Sequence, residues 1–276
     1  MSVSLSLDDD HTITIREALE PLGSPSVTKK QVTSAIKKIT DLFNGLVNRP
    51  TTLCNPYNAD LIEDLLEDNI GPLWMTIFDL VKKSPPKDQE PILSFLQQLQ
   101  TKTIQCIYDP ELQYHNMEIW EDLAGFGWVA RDVFNFDVHN ANATPEERQE
   151  WENITYFLAH LTVLDPSIKA FDFTLYALWI LREAFESNEG DSEEAVKLAA
   201  IWINVAGERL KQLSEKHHDL VSRMGVAGPK YAQEHRDWVG FNEERWELWR
   251  SGFEKAKKSV KSKEVKELVV EALKVF

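Results

Sequence analysis

Carboxylates, guanidinium groups and indoles gathered on one helix face can grip a ligand, relay a proton or tie neighbouring helices together. The stretch YALWILREAFE, Tyr176 to Glu186, has this combination: Trp179, Arg182, Glu183 and Glu186 fall along one side of a helix. Arg182 and Glu186 are spaced as an i,i+4 ion pair. On a solvated edge such a pair adds a few tenths of a kcal/mol. Under burial, the five-donor fork of an arginine needs partners and can hold several helices at once. The wall of a functional site is the third possibility.

Similar residue types recur elsewhere. Trp120, Asp122, Arg131 and Asp132 lie in WEDLAGFGWVARDVFN, Asn153 in WENITYFLAHL, and Trp202 and Asn204 in AIWINVAGERL. Arg245, Trp246, Trp249 and Arg250 share the segment ERWELWR. Asn153 is a poor helix former at mid-helix, which calls for a specific hydrogen bond. Trp246 and Trp249, three residues apart, form an aromatic patch beside arginine. Such a patch is either a packing seam or an aromatic-lined pocket with a few convergent polar groups. The candidate pocket or buried polar network therefore comprises Trp120, Asp122, Arg131, Asn153, Trp179, Arg182, Glu183, Glu186, Trp202, Arg245, Trp246 and Trp249.

Known reaction motifs do not fit. The sequence has no H-E-x-x-H, no Cys/His ligand cluster, no pair of E-x-x-H motifs suited to a di-iron bundle and no G-x-S-x-G elbow. His217 and His218 are adjacent and cannot share a helix face, and His235 lies nearby in the same loop. Gly125-Phe126-Gly127 lacks the strand and spacing of a nucleotide fingerprint. Of the Asp-rich stretches that invite comparison with terpene-cyclase metal motifs, Asp8-Asp9-Asp10 lies too close to the N-terminal arm and NEGDSEE, from Asn188, lacks the spacing of the second motif. No metal or cofactor is expected, and catalysis would rest on placed carboxylates with shifted pKa values.

The chain of 276 residues carries 30 basic and 45 acidic side chains, a formal charge of −15. Such an acidic surface repels phosphate backbones and anionic membranes, so neither nucleic acid nor membrane is expected as a partner. One local exception is EKAKKSVKSKEVK, residues 254 to 266, which reads first as a solvated helix face with Lys near a helix C-terminus. Two cysteines, Cys54 and Cys106, make no disulfide framework, and the first residues resemble no signal peptide. A cytoplasmic protein is expected, with the nucleus open as well. Two N-x-T triplets, at Asn142 and Asn153, are accidental in that setting.

These side chains need helices to position them. Residues 1 to 26 are Ser-, Asp- and Pro-rich and read as a flexible N-terminal arm. From Thr28 the period becomes helical: Thr28 and Gln31 form a capping box, and Val32, Ile36, Ile39, Phe43 and Leu46 share a face. Asn58 suits the N-cap of the next segment, which Gly71-Pro72 should kink or break. Pro86 suits the first turn of a helix bearing Ile92, Phe95, Leu96 and Leu99. Residues 103 to 118 read as loop. More buried helices follow over 123–134, 145–164, 171–187 and 192–216, the second capped by Thr144 with Pro145 at N1, the fourth by Asp191 or Ser192. Residues 217 to 241, with Gly225, Gly228, Pro229 and Gly240, form a long loop, which is usually functional or mobile. Helices over 242–259 and 262–275 close the chain. The expected fold is all-α: residues 27–276 as a single irregular bundle or array of roughly nine helices.

The ordered segments WEDLAGFGWVARDVFN, RQEWENITYFLAHLTVLD, FDFTLYALWILREAFE, AAIWINVAGERL and WVGFNEERWELWRSGFEKA resemble a fungal family, domain of unknown function 3632, over about residues 58–276. Leu123-Ala124 stands where the family pattern has Leu-Pro. The family has no established general activity, so the resemblance implies an α-helical, intracellular fungal protein and no particular reaction.

Two functions fit. The first is a non-catalytic binding or interaction module with a protein partner. The alternative is a cofactor-independent enzyme or small-molecule binder of fungal specialised (secondary) metabolism. It requires a cavity that places Arg182 or Glu186 near Trp202 or Trp246.

Overall fold

A computed structural model describes residues 8–48, 59–188, 192–220, 223–232, 234 and 237–276. The expected cap Asn58, the alternative cap Asp191, and Cys54 and His235 lie outside these residues. Among them the protein is all-α, with eleven helices and two isolated β-bridges. By contacts the chain divides into two compact units, Met1–Asn135 and Phe136–Phe276.

The first unit contains α1 (Asp8–Leu19), α2 (Lys29–Val47), α3 (Ala59–Lys83), α4 (Glu90–Leu99) and α5 (Phe126–Val133). The stretch read as an arm thus carries a helix, and it buries Ile15, Ala18, Leu19 and Leu22. Few residues of α1 are apolar, and its burial comes from packing on α2 and α3. Helix α2 starts at the expected capping box, in which Thr28 and Gln31 satisfy each other's backbone N–H. Its face of Val32, Ile36, Ile39, Phe43 and Leu46 is buried, with Lys29, Lys30, Lys37 and Lys38 exposed.

Pro72 does not break α3. The helix continues from Ala59 to Lys83 although proline has no N–H for the preceding turn. Buried side chains on both sides of Pro72, from Ile62, Leu66 and Ile70 to Trp74, Phe78 and Val81, hold the two halves on one core. Pro86 opens a three-residue 3-10 turn, and it is Pro91 that occupies the first turn of α4. Helix α5 begins at Phe126 rather than Leu123 because Leu123 and Gly125 have positive φ, 46° and 79°. A Cβ at Gly125 would stand 2.9 Å from Ile70 Cγ2.

The second unit contains α6 (Pro145–Leu164), α7 (Thr174–Phe185), α8 (Glu193–Glu215), the four-residue α9 (Pro229–Ala232), α10 (Glu243–Ser259) and α11 (Lys263–Ala272). Helix α8 is its centre, packed on α6, α7, α10 and α11. Leu198, Ala199, Ile201, Trp202 and Ile203 are all inaccessible, as expected of a helix covered on several sides. Thr144 and Ser192 cap α6 and α8. The ion pairs Arg148–Glu194 (3.2 Å) and Lys197–Glu152 (2.5 Å) advance together along both helices, so α6 and α8 run in the same direction. The loop after α8 folds back on itself: Leu220 N–H donates to Val239 O and Phe241 N–H to His218 O.

Candidate functional site

The side chains from Tyr176 to Glu186 do not act as one stripe. Helix α7 ends at Phe185, and Glu186 is its C-cap at φ −117°, ψ 3°. That change of backbone turns Glu186 away from Arg182 and into the interior, where Glu186 and Arg245 are both fully inaccessible. Among the described residues Arg182 has no ion-pair partner; its guanidinium donates to Met224 O at 2.9 Å. Trp179 donates to the same carbonyl at 3.2 Å. Half-burial pushes the Arg182 pKa down from its ordinary value, with the Glu186 charge opposing the shift. Glu183 meets His139 at 2.6 Å.

Glu186 instead pairs with Arg245, whose place is set by the start of α10. Asn242 caps that helix, its side chain accepting from Arg245 N at 2.8 Å, so Arg245 stands in the first turn. From there Arg245 Nε donates to Glu186 Oε1 at 2.7 Å and Nη2 to Oε2 at 2.9 Å, a bidentate pair. Nη1 donates to Gly225 O and Gly240 O, both at 2.8 Å, and Nη2 also to Val226 O at 3.2 Å. An arginine side chain has five N–H donors, and all five are used. Glu186 is equally filled: Trp249 Nε1 donates to Oε1 at 2.9 Å and Gly228 N–H to Oε2 at 2.7 Å. With the two arginine bonds this occupies the roughly four lone-pair positions of a carboxylate. The rings of Trp238 and Trp249 each lie 5.5 Å from the guanidinium carbon.

This cluster clasps the loop after α8 onto α7 and α10. Gly228 allows a close approach to the end of α7, since a Cβ there would meet Glu186 Cβ at 2.5 Å and Glu186 O at 2.7 Å. Lys230 N–H donates to Glu186 O at 3.1 Å, adding a main-chain tie. Trp246 borders the clasp, edge-on to Trp249 and 4.3 Å from the Phe276 ring.

The remaining candidates lie elsewhere. Trp202 is buried in α8 with no partner for Nε1 among the described residues. Asn153 is buried in α6 and accepts from Gln149 Nε2 at 3.1 Å, which supplies the hydrogen bond its position called for. Trp120, Asp122 and Arg131 belong to the first unit. Trp120 packs edge-on against Phe43, Asp122 is exposed and accepts from Glu118 N, and Arg131 is exposed.

Two groupings were not read from the sequence. One is the set of loop carbonyls around Arg245, for which the glycines of residues 217 to 241 were the available sign. The other joins α6, α8 and α11: Lys197 pairs with Glu152 and, at 2.9 Å, with Glu264. Burial raises the Glu152 pKa, and its bond to Lys197 offsets this only in part. For Lys197, burial lowers the pKa but the two carboxylates outweigh it, and the net direction is up. Burial also raises Tyr156, one turn along α6 from Glu152.

The grooves among the described residues include the following three. A cleft of about 390 Å³ beside the clasp is lined by Phe185, Lys230, Tyr231, Trp238, Ser251 and Gly252 among others. Another of about 490 Å³ lies between α1 and α3. The third, about 740 Å³, lies along α10 and α11. None of these three is lined by Arg182, Glu186, Trp202, Trp246 or Trp249. Among the described residues no group of three or more His, Cys, Asp or Glu is placed to hold a metal ion, and no helix is long and apolar enough to cross a membrane.

The model of a family described as protein of unknown function (DUF3632) matches residues 74–253, which include the whole clasp. No curated protein and no solved structure matches the chain.

Proposed function

The chain belongs to the DUF3632 family, and we propose that it serves as a cytoplasmic, non-catalytic interaction module. The observation that carries this reading is the saturation of the Glu186–Arg245 clasp. Catalysis by a carboxylate or guanidinium needs a lone pair or N–H that can turn to substrate. In the clasp every such position is taken by the protein's own groups. Its strongest buried charges serve to hold a loop, as expected of a scaffold that presents a fixed surface.

A second reading, a small-molecule binder, draws support from the 390 Å³ cleft beside the clasp. Its size and its aromatic walls, Phe185, Tyr231 and Trp238, are those of ligand sites in general. Native mass spectrometry of the protein purified gently from its own host separates the two. The module reading expects a second polypeptide retained in stoichiometric amount. A bare chain contradicts it, and a chain carrying only a low-mass molecule contradicts it in favour of the cleft.

A further inference from the structure

The groove along α10 and α11 differs from the rest of this acidic chain. Arg250, Lys257 and Lys258 lie along one side of α10, and Lys266 faces the same groove from α11. The side chains of Leu273 and Phe276 give it an apolar part. Glu254 is the one acidic lining residue, so cations outnumber it in a chain whose formal charge is −15. Arg250 is engaged at 2.8 Å by Glu247 on its own helix. Among the described residues none of Lys257, Lys258 and Lys266 has an ion-pair partner, and all three are exposed.

Placement near a helix C-terminus accounts for part of this. Lys257 and Lys258 are in the last turn of α10, where positive charge complements the helix dipole. Lys266 is in the first half of α11, and the dipole gives no reason for a cation there. Three unpaired cations from two helices converge on one groove that also offers apolar surface.

We propose that this groove binds an acidic peptide segment of a partner protein, with an apolar side chain of that segment seated on Leu273 and Phe276. The proposal rests on the interaction-module reading and names its partner class. Charge complementarity selects the occupant: unpaired lysines attract carboxylates and speed encounter, while an apolar contact slows release. An extended polyanion, whether nucleic acid or an anionic membrane, would also meet the field of a chain whose formal charge is −15, which opposes it. A short peptide meets only the groove.

The test is fluorescence anisotropy with a labelled hexapeptide of Glu and Asp around one central Phe. The wild-type protein should bind it, and binding should weaken as salt rises. The variant Lys257→Glu/Lys258→Glu/Lys266→Glu should bind at least about tenfold more weakly with unchanged circular dichroism and melting. Replacing the peptide's Phe by Ser should weaken binding as well. No binding, or binding that the triple variant leaves unchanged, overturns the proposal and leaves the lysines as dipole and solubility charges. Stronger binding to phosphatidylserine vesicles or to a single-stranded oligonucleotide than to the peptide overturns it in favour of those partners. Native mass spectrometry of the triple variant from its host distinguishes the two levels. A polypeptide retained equally by wild type and variant leaves the module reading standing and removes the groove from it. No polypeptide on either contradicts the module reading itself.

Discussion

The two ends of α10 treat positive charge in opposite ways. At its start Arg245 is fully buried, and each of its five N–H groups has an acceptor. Toward its end Lys257 and Lys258 are exposed and, among the described residues, have no ion-pair partner. A buried ion must be paid for locally by bonds to the protein, so Arg245 has nothing left to offer a ligand. An exposed lysine keeps its hydration and its freedom, contributes little to stability, and remains free for recognition. Burial and partner count thus separate charges that hold the fold from charges that can act outside it.

The largest expected effect comes from breaking the buried end. Arg245→Met leaves the Glu186 carboxylate buried without its cation and should cost about 3–5 kcal/mol, read as a lower urea midpoint. A smaller loss is expected from Gly228→Ala. The added methyl would meet Glu186 at 2.5 Å, and pushing the loop away should cost about 1–3 kcal/mol in the same experiment.

Between the extremes lies Lys197, side-chain exposure 12%, held by Glu152 and Glu264. Its folded pKa is raised above the ordinary 10.5, so the stability it contributes is complete below that value and is lost as pH rises through the raised one. Tyr156, raised above 10.0, has the same sign, because a buried phenol disfavours its ionised form. Urea midpoints should therefore fall as pH passes 10 and upward, and Lys197→Met should make that fall shallower. An equal slope in the variant would remove Lys197 from the account. The smallest stability effect belongs to the exposed end: Lys257→Glu, Lys258→Glu and Lys266→Glu should each stay within about 0.5 kcal/mol of wild type.

How much of this was legible in the sequence depended on whether the partner was near in the chain. The capping box at Thr28, the N-cap at Thr144 and the buried face of α2 follow from residues three or four apart, and the structure has all three. Gly71-Pro72 reads as a kink or a break, and no break occurs, because the cost of proline is local while the core that overrides it is assembled from distant residues. The helix at Asp8–Leu19 was missed for a similar reason, since its few apolar residues are buried by α2 and α3. At the candidate site, Arg245, Glu186 and Trp249 were all singled out, but Glu186 was matched with Arg182. The i,i+4 rule assumes that the helix continues, and α7 stops one residue before Glu186. Most of Arg245's acceptors are main-chain carbonyls of a loop, which no side-chain pattern encodes.

The most direct test of the clasp is a double-mutant cycle on Glu186 and Arg245, with unfolding by urea as the readout. Glu186→Met and Arg245→Met should each destabilise strongly, and the double variant should be far less damaged than the sum of the two, with a coupling of about 3 kcal/mol or more. If the two losses are small, or simply add, the pair is not the tie that holds the loop, and the division between structural and available charge on α10 fails with it.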